Sequence, residues 1–380
     1  MTISKILSDK TYDVVVVGGG IVGLASAYAA VKKGLSVAVV ERQSQNKDAS
    51  VRNFGFVTVS GQRRGEHWQR AMHSRNVWAE VAPKAGIQVE HRGLHMLMQR
   101  PEAVDVAEAF LKTEMGKDCR LLTLSEINEV VPYLKKGEGV LYSPHELRVE
   151  SNTAIAKLAH WLEQVQGVDF YNQTTVTSVD LPEVHTSRGV LKTEHCVVCP
   201  GADFTSLYPD VLATTKAKMC TLNMMRVMPK QAFKLNAAVM SDLSFARYDG
   251  FAQLPEAEPL KNLLDDIQSV ERQAGVHLIV VQSADGSLII GDSHDYSDRE
   301  LPFRDTRIDD LIINEFHRVM GVGEIDITQH WLGVYPSANE VVFKTSPEKG
   351  VVIGSVTGGT GASTGFAFGE ELIDLVLESK

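Results

Sequence analysis

The sequence has little of what marks a secreted, membrane-spanning or nucleic-acid-binding protein. It holds only four cysteines in 380 residues, too few for a disulfide framework. Its formal net charge of −10 gives no general attraction to nucleic acid or to an anionic membrane. We find no repeats, no low-complexity segment, no convincing membrane span and no N-terminal signal peptide. We therefore expect a cytoplasmic protein with neither a membrane span nor a nucleic-acid partner.

Two of the cysteines, Cys196 and Cys199, form a C-x-x-C pair that could indicate redox or metal chemistry. The pair lies in a segment typical of a buried strand that runs into a turn. Residues three apart on a strand point to opposite faces, so the two thiols are not expected to meet. We therefore expect no metal site here.

The segment 12–41 carries the strongest motif. The β-branched run Tyr12–Val17 predicts a strand that is buried on both faces of a parallel sheet. Leu24–Lys33 predicts a helix, Leu35–Val40 predicts a second strand, and Glu41 stands at its end. A G-x-G-x-x-G turn joins the first strand to the helix. This order is that of a dinucleotide-binding unit.

Each glycine of the turn has a physical role in such a unit. Gly18 allows the tight turn, Gly20 lets the backbone approach a pyrophosphate, and Gly23 lets helix and strand pack closely. The N-terminus of the helix favours the diphosphate anion. Glu41 is spaced to bind ribose hydroxyls and disfavours the 2′-phosphate of NADP. The motif predicts dinucleotide binding, but by itself it does not separate NAD from FAD.

The remainder of the chain does not continue in β-α-β units, as a NAD dehydrogenase would. Met219–Met228, His277–Gln282 and Ser287–Ile290 predict strands of a second sheet, with a turn at Asp285-Gly286 between the last two. The methionines of the first of these strands are expected to be core residues. The stretch Gln253–Pro259 is the most loop-like part of the middle region. Glycine-rich Gly358–Gly361 precedes a final helix, about residues 363–377.

These patterns predict an α/β fold, with a Rossmann-type dinucleotide-binding domain and an inserted, mixed α+β substrate domain dominated by an antiparallel sheet. The expected limits are 1–85, 143–215 and 330–380 for the nucleotide domain, and 86–142 and 216–329 for the substrate domain.

Four places carry a resemblance to a known family: the Gly18–Glu41 unit, the loop with Ser50, Asn53 and Gly55, the turn Cys199–Ala202, and the C-terminal segments Trp331–Pro336 and Gly358–Ala362. On these residues the chain resembles the D-amino-acid oxidase, glycine oxidase and sarcosine oxidase superfamily of flavoproteins over essentially its whole length. The resemblance implies FAD as the cofactor. No His or Cys is obviously placed for a covalent flavin bond, so we expect non-covalent FAD.

The resemblance also implies which residues hold FAD. Arg52 and its neighbours would lie near the flavin, Val176 would bond the adenine through its backbone, and Thr360–Thr364 would face the flavin carbonyl edge. The full expected set is Gly18, Gly20, Ile21, Val22, Gly23, Glu41, Arg42, Ser50, Arg52, Asn53, Phe54, Gly55, Val176, Gly201, Gly359, Thr360, Gly361, Ala362, Ser363 and Thr364.

A closer likeness is visible in Ser50–Phe56 with Gly61-Gln62, in Gly291–His294 and in Trp331–Pro336. These segments resemble a subfamily associated with bacterial aminophosphonate breakdown, which implies oxidation of 2-aminoethylphosphonate-type amines or their N-methyl forms. Many superfamily members carry a carboxylate-binding Arg where this chain has Val334-Tyr335. Its absence argues against simple α-amino acids as the main substrate.

Arginine suits bidentate recognition of a phosphonate or carboxylate, although each arginine could equally be a solvated surface charge. Histidine could accept the ammonium proton or orient the amine. The expected substrate-binding residues are Arg52, Arg63, Arg64, His67, Arg247 and Tyr248. The expected catalytic residues are His95, His294 and Tyr335.

The leading hypothesis is an FAD-dependent oxidation of an aminoalkylphosphonate to an imine, which hydrolyses to an aldehyde and ammonia or methylamine. The electron acceptor is oxygen, giving hydrogen peroxide, or another acceptor. One alternative is a glycine, sarcosine or D-amino-acid oxidase or dehydrogenase. The other is a non-catalytic flavoprotein in which FAD is structural.

Overall fold

The computed structural model describes residue 7, residues 10–298 and residues 301–379. Most of the N-terminal residues on which the signal-peptide expectation rests lie outside these ranges. The helices of the described part are α1 (Ile21–Lys32), α2 (Glu66–Lys84), α3 (Pro101–Leu111), α4 (Leu124–Val130), α5 (Ser151–Gln164), α6 (Pro209–Ala213), α7 (Asp249–Ala252), α8 (Ala257–Ile267), α9 (Ser269–Gln273), α10 (Thr306–Val319) and α11 (Gly361–Glu378), with 3₁₀ turns at Glu114–Gly116 and Asp242–Ala246.

The strands are β1 (Thr11–Val17), β2 (Val37–Val40), β3 (Phe56–Val57), β4 (Val89–Met98), β5 (Arg120–Leu121), β6 (Gly139–Val149), β7 (Asp169–Tyr171), β8 (Val176–Asp180), β9 (Glu183–Thr186), β10 (Gly189–Val198), β11 (Lys218–Pro229), β12 (Ala238–Ser241), β13 (Ile279–Gln282), β14 (Leu288–Gly291), β15 (Asp295–Ser297), β16 (Ile325–Glu348) and β17 (Val351–Gly358).

A parallel sheet forms the centre of the nucleotide domain. Its strands run in the order β7-β2-β1-β10-β17, and each neighbouring pair is parallel. Val14, Val15 and Val16 of β1 are fully buried, because both faces of the sheet are covered. Helices α1, α2 and α11 pack together on one face. The predicted Rossmann-type fold is confirmed.

A second sheet runs in the order β6-β4-β12-β13-β14-β11-β16. Every neighbouring pair in it is antiparallel except β12 with β4. The 24-residue strand β16 pairs first with β11 and then with β17, so it joins this sheet to the parallel one. The predicted substrate domain, dominated by an antiparallel sheet, is confirmed as an architecture.

The exact domain limits stay a prediction. The limit between residues 142 and 143 falls within β6, and the limit between residues 329 and 330 falls within β16. Because β16 hydrogen-bonds to both sheets, no single residue separates the two domains at that point.

The expected loop Gln253–Pro259 is partly wrong, because α8 begins at Ala257. Leu260 and Leu264 are four residues apart and fully buried, so the helix has an apolar face. The prediction of a loop did not take this spacing into account. Pro259 lies in the first turn, where its missing N–H breaks no helical hydrogen bond.

Two expectations about core residues are confirmed. Cys196 packs in the cluster around Val15 and Cys199 packs against the cluster around Val14, so the two thiols lie on opposite faces of the sheet. Met224 and Met225 of β11 are fully buried core residues. None of the helices in the described part of the chain is long and apolar enough to cross a membrane.

Candidate active site

The glycine-rich turn lies at the carboxyl end of β1 and leads into α1. A Cβ atom on Gly23 would lie 1.9 Å from the Gly18 carbonyl oxygen, so helix and strand meet at a distance that only glycine allows. Gly18 adopts a φ of 107°, and its N–H donates to the Val40 carbonyl. Gly20 is the N-cap of α1 and lines the central cavity. The turn is therefore shaped for the close approach of a ligand.

The carboxylate of Glu41 supports this turn. It is buried at the end of β2 and accepts hydrogen bonds from the Gly19 N–H and the Gln43 N–H, both at 2.8 Å. Arg42 beside it forms a salt bridge with Asp203 at 2.5 Å. Burial with two backbone donors fixes one orientation of the carboxylate next to the glycine turn.

The loop after β2 is held by its own side chains. The Ser50 hydroxyl accepts a hydrogen bond from the N–H of Ile21, the first residue of α1. Asn53 donates to the Ala49 carbonyl, and its amide oxygen accepts from the Gly55 N–H. These bonds bring the loop against the start of α1, where it lines the cavity.

A third wall comes from the C-terminal loop and the start of α11. The Ala362 carbonyl accepts from the Trp78 indole N–H at 2.9 Å, and the Ser363 hydroxyl accepts from the Thr58 N–H at 2.8 Å. Thr360 Oγ1 lies 3.2 Å from His67 Nε2. The first turn of α11 holds no acidic residue, so its positive end stays available to negative charge in the cavity.

These walls enclose one continuous cavity of about 460 Å³. Its far end is polar and aromatic. Arg247 donates to the Tyr296 hydroxyl at 2.8 Å. His277, Asp292 and His294 lie together beside it, and Tyr248 and Tyr335 complete this end. We call the set Arg247, Tyr248, His277, Asp292, His294, Tyr296 and Tyr335 the polar end of the cavity.

Burial sets the charge of several groups here. Burial and the nearby Arg247 hold the pKa of His294 well below its usual range, so this imidazole is neutral near pH 7. Burial and the arginines Arg70 and Arg63 lower the pKa of His67 to about 4. Burial opposes ionisation of Asp292, but its contact with His277 keeps the pKa of that carboxyl below its usual value.

The structure brings most of the expected residues to the cavity wall. These are Gly20, Ile21, Val22, Gly23, Ser50, Arg52, Asn53, Phe54, Arg63, His67, Gly201, Arg247, Tyr248, His294, Tyr335, Gly359, Thr360, Gly361, Ala362 and Ser363. Arg63 lines the wall with a 2.7 Å salt bridge to Asp249. His294 lies in the loop between β14 and β15.

Other expected cofactor residues are not among those that line the cavity: Gly18, Glu41, Arg42, Gly55, Val176 and Thr364. The Gly55 N–H and carbonyl both bond to protein, through Asn53 and Val149. The Thr364 hydroxyl and N–H both donate to the Thr360 carbonyl. Gly55 and Thr364 therefore shape the wall instead of contributing hydrogen-bonding groups to the cavity, and direct contact of the other four with FAD stays a prediction.

Two substrate-side expectations need correction. His95 is buried in β4 against Tyr142 and is not part of the cavity wall. Its neighbours Leu94 and Met96 face the core that includes the cavity residue Ile279, so the alternation of the strand turns His95 to the other face. Arg64 is a surface residue, with 69% of its side chain exposed and Glu114 as its salt-bridge partner.

His277, Asp292 and Tyr296 are not among the residues predicted for the site. The sequence does contain a signal for the first two. The predicted strands at 277–282 and 287–290 flank Asp285-Gly286, and the observed hairpin pairs Ile279 with Gly291. Two residues beyond that pair, residue 277 falls opposite residue 293 and beside residue 292. Tyr296 had no comparable signal.

The residues present fit FAD. The glycine turn lets a pyrophosphate reach the start of α1, and the loop after β2 and the start of α11 lie on either side of the same cavity. The fold and the site thus define a dinucleotide-binding flavoprotein.

Comparison with known proteins also indicates an FAD-binding protein. The family model described as FAD dependent oxidoreductase (DAO) matches residues 13–375. The chain belongs to this family. It is an enzyme whose cofactor is FAD. No curated protein sequence is significantly similar to it.

Three solved structures illustrate the shared fold. Glycine oxidase from Bacillus cereus ATCC 14579 is 19% identical with a TM-score of 0.77, and the match covers 97% of this chain and 96% of that one. L-proline dehydrogenase from P. horikoshii is also 19% identical with a TM-score of 0.77, covering 98% and 95%. The FAD-bound L-alpha-glycerophosphate oxidase from Mycoplasma pneumoniae is 16% identical with a TM-score of 0.71, covering 97% and 96%.

Proposed function

We propose that this enzyme oxidises a small primary or secondary amine that carries a phosphonate, namely 2-aminoethylphosphonate or its N-methyl form. One observation carries the proposal. Arg52 and Arg247 both line the cavity, and neither forms a salt bridge within the described residues. The third cavity arginine, Arg63, is neutralised by Asp249. Two unpaired guanidinium groups in one cavity suit a substrate group with nearly two negative charges.

The bound FAD supplies the redox chemistry, since it can accept two electrons with the hydrogen of a C–H bond. The chain's own residues orient the amine and exclude water. Arg247 and Tyr296 hold the anionic end of the substrate, and Tyr335 packs against Gly359 at the flavin-side loop. This fixes the C–H bond next to the nitrogen at the boundary between the polar end and the flavin walls.

The products follow from atom balance. The C–H bond next to nitrogen breaks, and the amine becomes an imine by loss of two hydrogens. Oxygen takes up the two electrons and two protons as hydrogen peroxide. Water then hydrolyses the imine to an aldehyde and ammonia. When the substrate is N-methylated, the products are the aldehyde and methylamine.

The names of the structural neighbours support amine chemistry in this fold. A glycine oxidase and an L-proline dehydrogenase act on amino compounds, and an L-alpha-glycerophosphate oxidase acts on a substrate that bears a phosphate. A glycine, sarcosine or D-amino-acid substrate is the second candidate, because Arg247 could also bind a carboxylate. A purely structural FAD is the third, and the polar groups at the end of the cavity disfavour it.

Oxygen uptake and peroxide formation test the proposal. The amines to compare are 2-aminoethylphosphonate, its N-methyl form, glycine, sarcosine and D-alanine. We expect the highest kcat/KM with a phosphonate. Turnover confined to the carboxylate amines would refute the phosphonate assignment. A flavin that stays oxidised under anaerobic conditions with every amine would support a structural role, while bleaching without oxygen uptake would indicate a different electron acceptor.

A further inference from the structure

We propose that Asp292 and His294 form the subsite that receives the ammonium group of the substrate, with His294 Nε2 as the atom that takes its proton. His277 and the tyrosines of the polar end position these two groups. The inference rests on the proposed amine oxidation and adds the place where the substrate's positive charge is bound.

The hydrogen bond to Gly275 fixes the tautomer of His294. Its Nδ1 lies 3.0 Å from the Gly275 carbonyl oxygen, which can only accept, so Nδ1 carries the hydrogen. In the neutral ring, Nε2 is then a bare acceptor. It faces Asp292 Oδ2 at 3.9 Å. Two acceptors that face each other need a donor or a cation between them.

The 3.9 Å separation suits an ammonium group. A nitrogen about 2.8 Å from each acceptor, the usual length of a charge-assisted hydrogen bond, would see them at an angle of about 90°. Two N–H bonds of a tetrahedral ammonium are about 109° apart, so each hydrogen bond would bend by only about 10°. The other two substituents of the nitrogen are left to point toward the remainder of the cavity.

Asp292 has acceptor capacity left over. Its side chain is 8% exposed, and Oδ1 lies 3.0 Å from His277 Nε2 without a well-aligned hydrogen bond. A buried carboxylate that lacks a full set of donors is costly unless a cation or donor completes it. An ammonium ion supplies both.

The surroundings favour an organic cation over a metal ion. The rings of Tyr248, Tyr296 and Tyr335 lie against the two histidines, and aromatic faces attract ammonium groups. The donor atoms of His277, Asp292 and His294 lie within 4.8 Å of one another, so they could also ligate a metal. A divalent ion, however, would add two charges beside the Arg247 guanidinium, with only one carboxylate to balance them.

Arg247 also links the binding of the substrate's anion to the basicity of His294. It is one cause of the low pKa of His294, after burial. An anion paired with Arg247 removes part of that effect and makes His294 a better base once substrate is bound. The charged and titratable groups that face His294 are Arg247, Asp292, His277, Tyr296 and Tyr335. The ammonium loses its proton to His294, the imidazolium is held by Asp292, and the amine is left neutral for oxidation.

The test compares Asp292→Asn with the matched variant Asp295→Asn, whose carboxylate is exposed three residues further along the chain. Two ligands are compared, 2-aminoethylphosphonate as substrate and ethylphosphonate, which lacks the amine, as inhibitor. We expect Asp292→Asn to raise the KM of the amine about tenfold or more and to change the Ki of ethylphosphonate less than about twofold. Asp295→Asn should change neither. The flavin absorption spectrum reports whether each variant folds and holds FAD.

A second variant, His294→Gln, tests the proton acceptor. We expect the wild-type kcat/KM to fall at acidic pH and this limb to be lost in the variant, with a lower plateau. Equal weakening of both ligands by Asp292→Asn would overturn the ammonium subsite, as would an unchanged KM. A stoichiometric metal in the purified enzyme whose removal by chelator abolishes activity would overturn it in favour of a metal site.

The two proposals fail in distinguishable ways. If a carboxylate amine proves to be the substrate, the phosphonate assignment fails, and the same variants are measured with that amine and with its deamino analogue. A selective loss for the amine then still supports the subsite. If no amine is oxidised, both proposals are refuted.

Discussion

The substitution Gly23→Ala tests whether the close contact of helix and strand holds the cofactor turn. The added Cβ would lie 1.9 Å from the Gly18 carbonyl oxygen. An ordinary contact between carbon and oxygen is about 3.3 Å, so the start of α1 must move by roughly 1.4 Å. The residues that move, Gly20–Gly23, line the cavity, and they include the start of α1 that the diphosphate is expected to approach.

Overpacking of this kind costs about 1–3 kcal/mol. If the strain falls mainly on the cofactor-bound form, the Kd for FAD should rise about 5- to 150-fold. The assay is titration of apoprotein with FAD, followed by quenching of flavin fluorescence. Gly20→Ala should strain the apoprotein less, because its Cβ would meet the Ser50 hydroxyl oxygen at 3.1 Å.

Gly321→Ala is the matched control. Its Cβ would lie 3.5 Å from the Tyr133 carbonyl oxygen, an ordinary contact at an exposed position. It should bind FAD like the wild type. A Gly23→Ala protein with wild-type FAD affinity would show that the helix shifts without disturbing the cofactor, and the reasoning from close contact would be wrong.

Other predictions concern the arginines and the buried histidines. Arg247→Met should raise the KM of an anionic amine about 10- to 150-fold, from the loss of about 1.5–3 kcal/mol of charged hydrogen bonding, whereas Arg64→Met should leave it unchanged. An equal effect of both variants in steady-state assays would contradict the assignment. Burial lowers the pKa of His91 to about 3 and that of His95 to about 4, so the unfolded chain binds more protons. Their contribution to stability should be complete above about pH 6.5, the unperturbed histidine pKa, and should fall as the pH drops toward 4. Thermal unfolding should show this slope, and His95→Gln should reduce it. A melting temperature that stays constant from pH 7 to pH 4.5 would speak against it.

The nucleotide half could be predicted from sequence because its determinants are local. Two strands, one turn and one helix within about thirty residues carry the whole argument, and the contact of Gly23 with Gly18 lies within that unit. The family match confirms FAD and the enzyme class. The helix α8 was missed although its signal is also local, since the buried Leu260 and Leu264 are four residues apart.

The polar end of the cavity could not be predicted in the same way, because four distant segments build it. Arg247 follows a 3₁₀ turn, His277 precedes β13, Asp292 follows β14, and Tyr335 lies within β16. No spacing rule links such positions. Composition suggested histidine and arginine as candidates. The wrong candidate His95 misses the cavity because successive residues of a strand point to opposite faces, and its side chain lies on the other face of β4.

One part of that end was nonetheless within reach. A hairpin fixes which residues face each other once its turn is known, and the register that pairs Ile279 with Gly291 also brings residue 277 beside residue 292. In the proposed subsite, the buried acid and the histidine that meet in this way, next to the bare Nε2 of His294, select for positive charge. Arg247 adjoins it with the opposite preference. Under the proposed function, the two preferences together select a substrate with an anion at one end and an ammonium group a short chain away. Both 2-aminoethylphosphonate and glycine have this property, so the comparison of phosphonate with carboxylate amines must distinguish them.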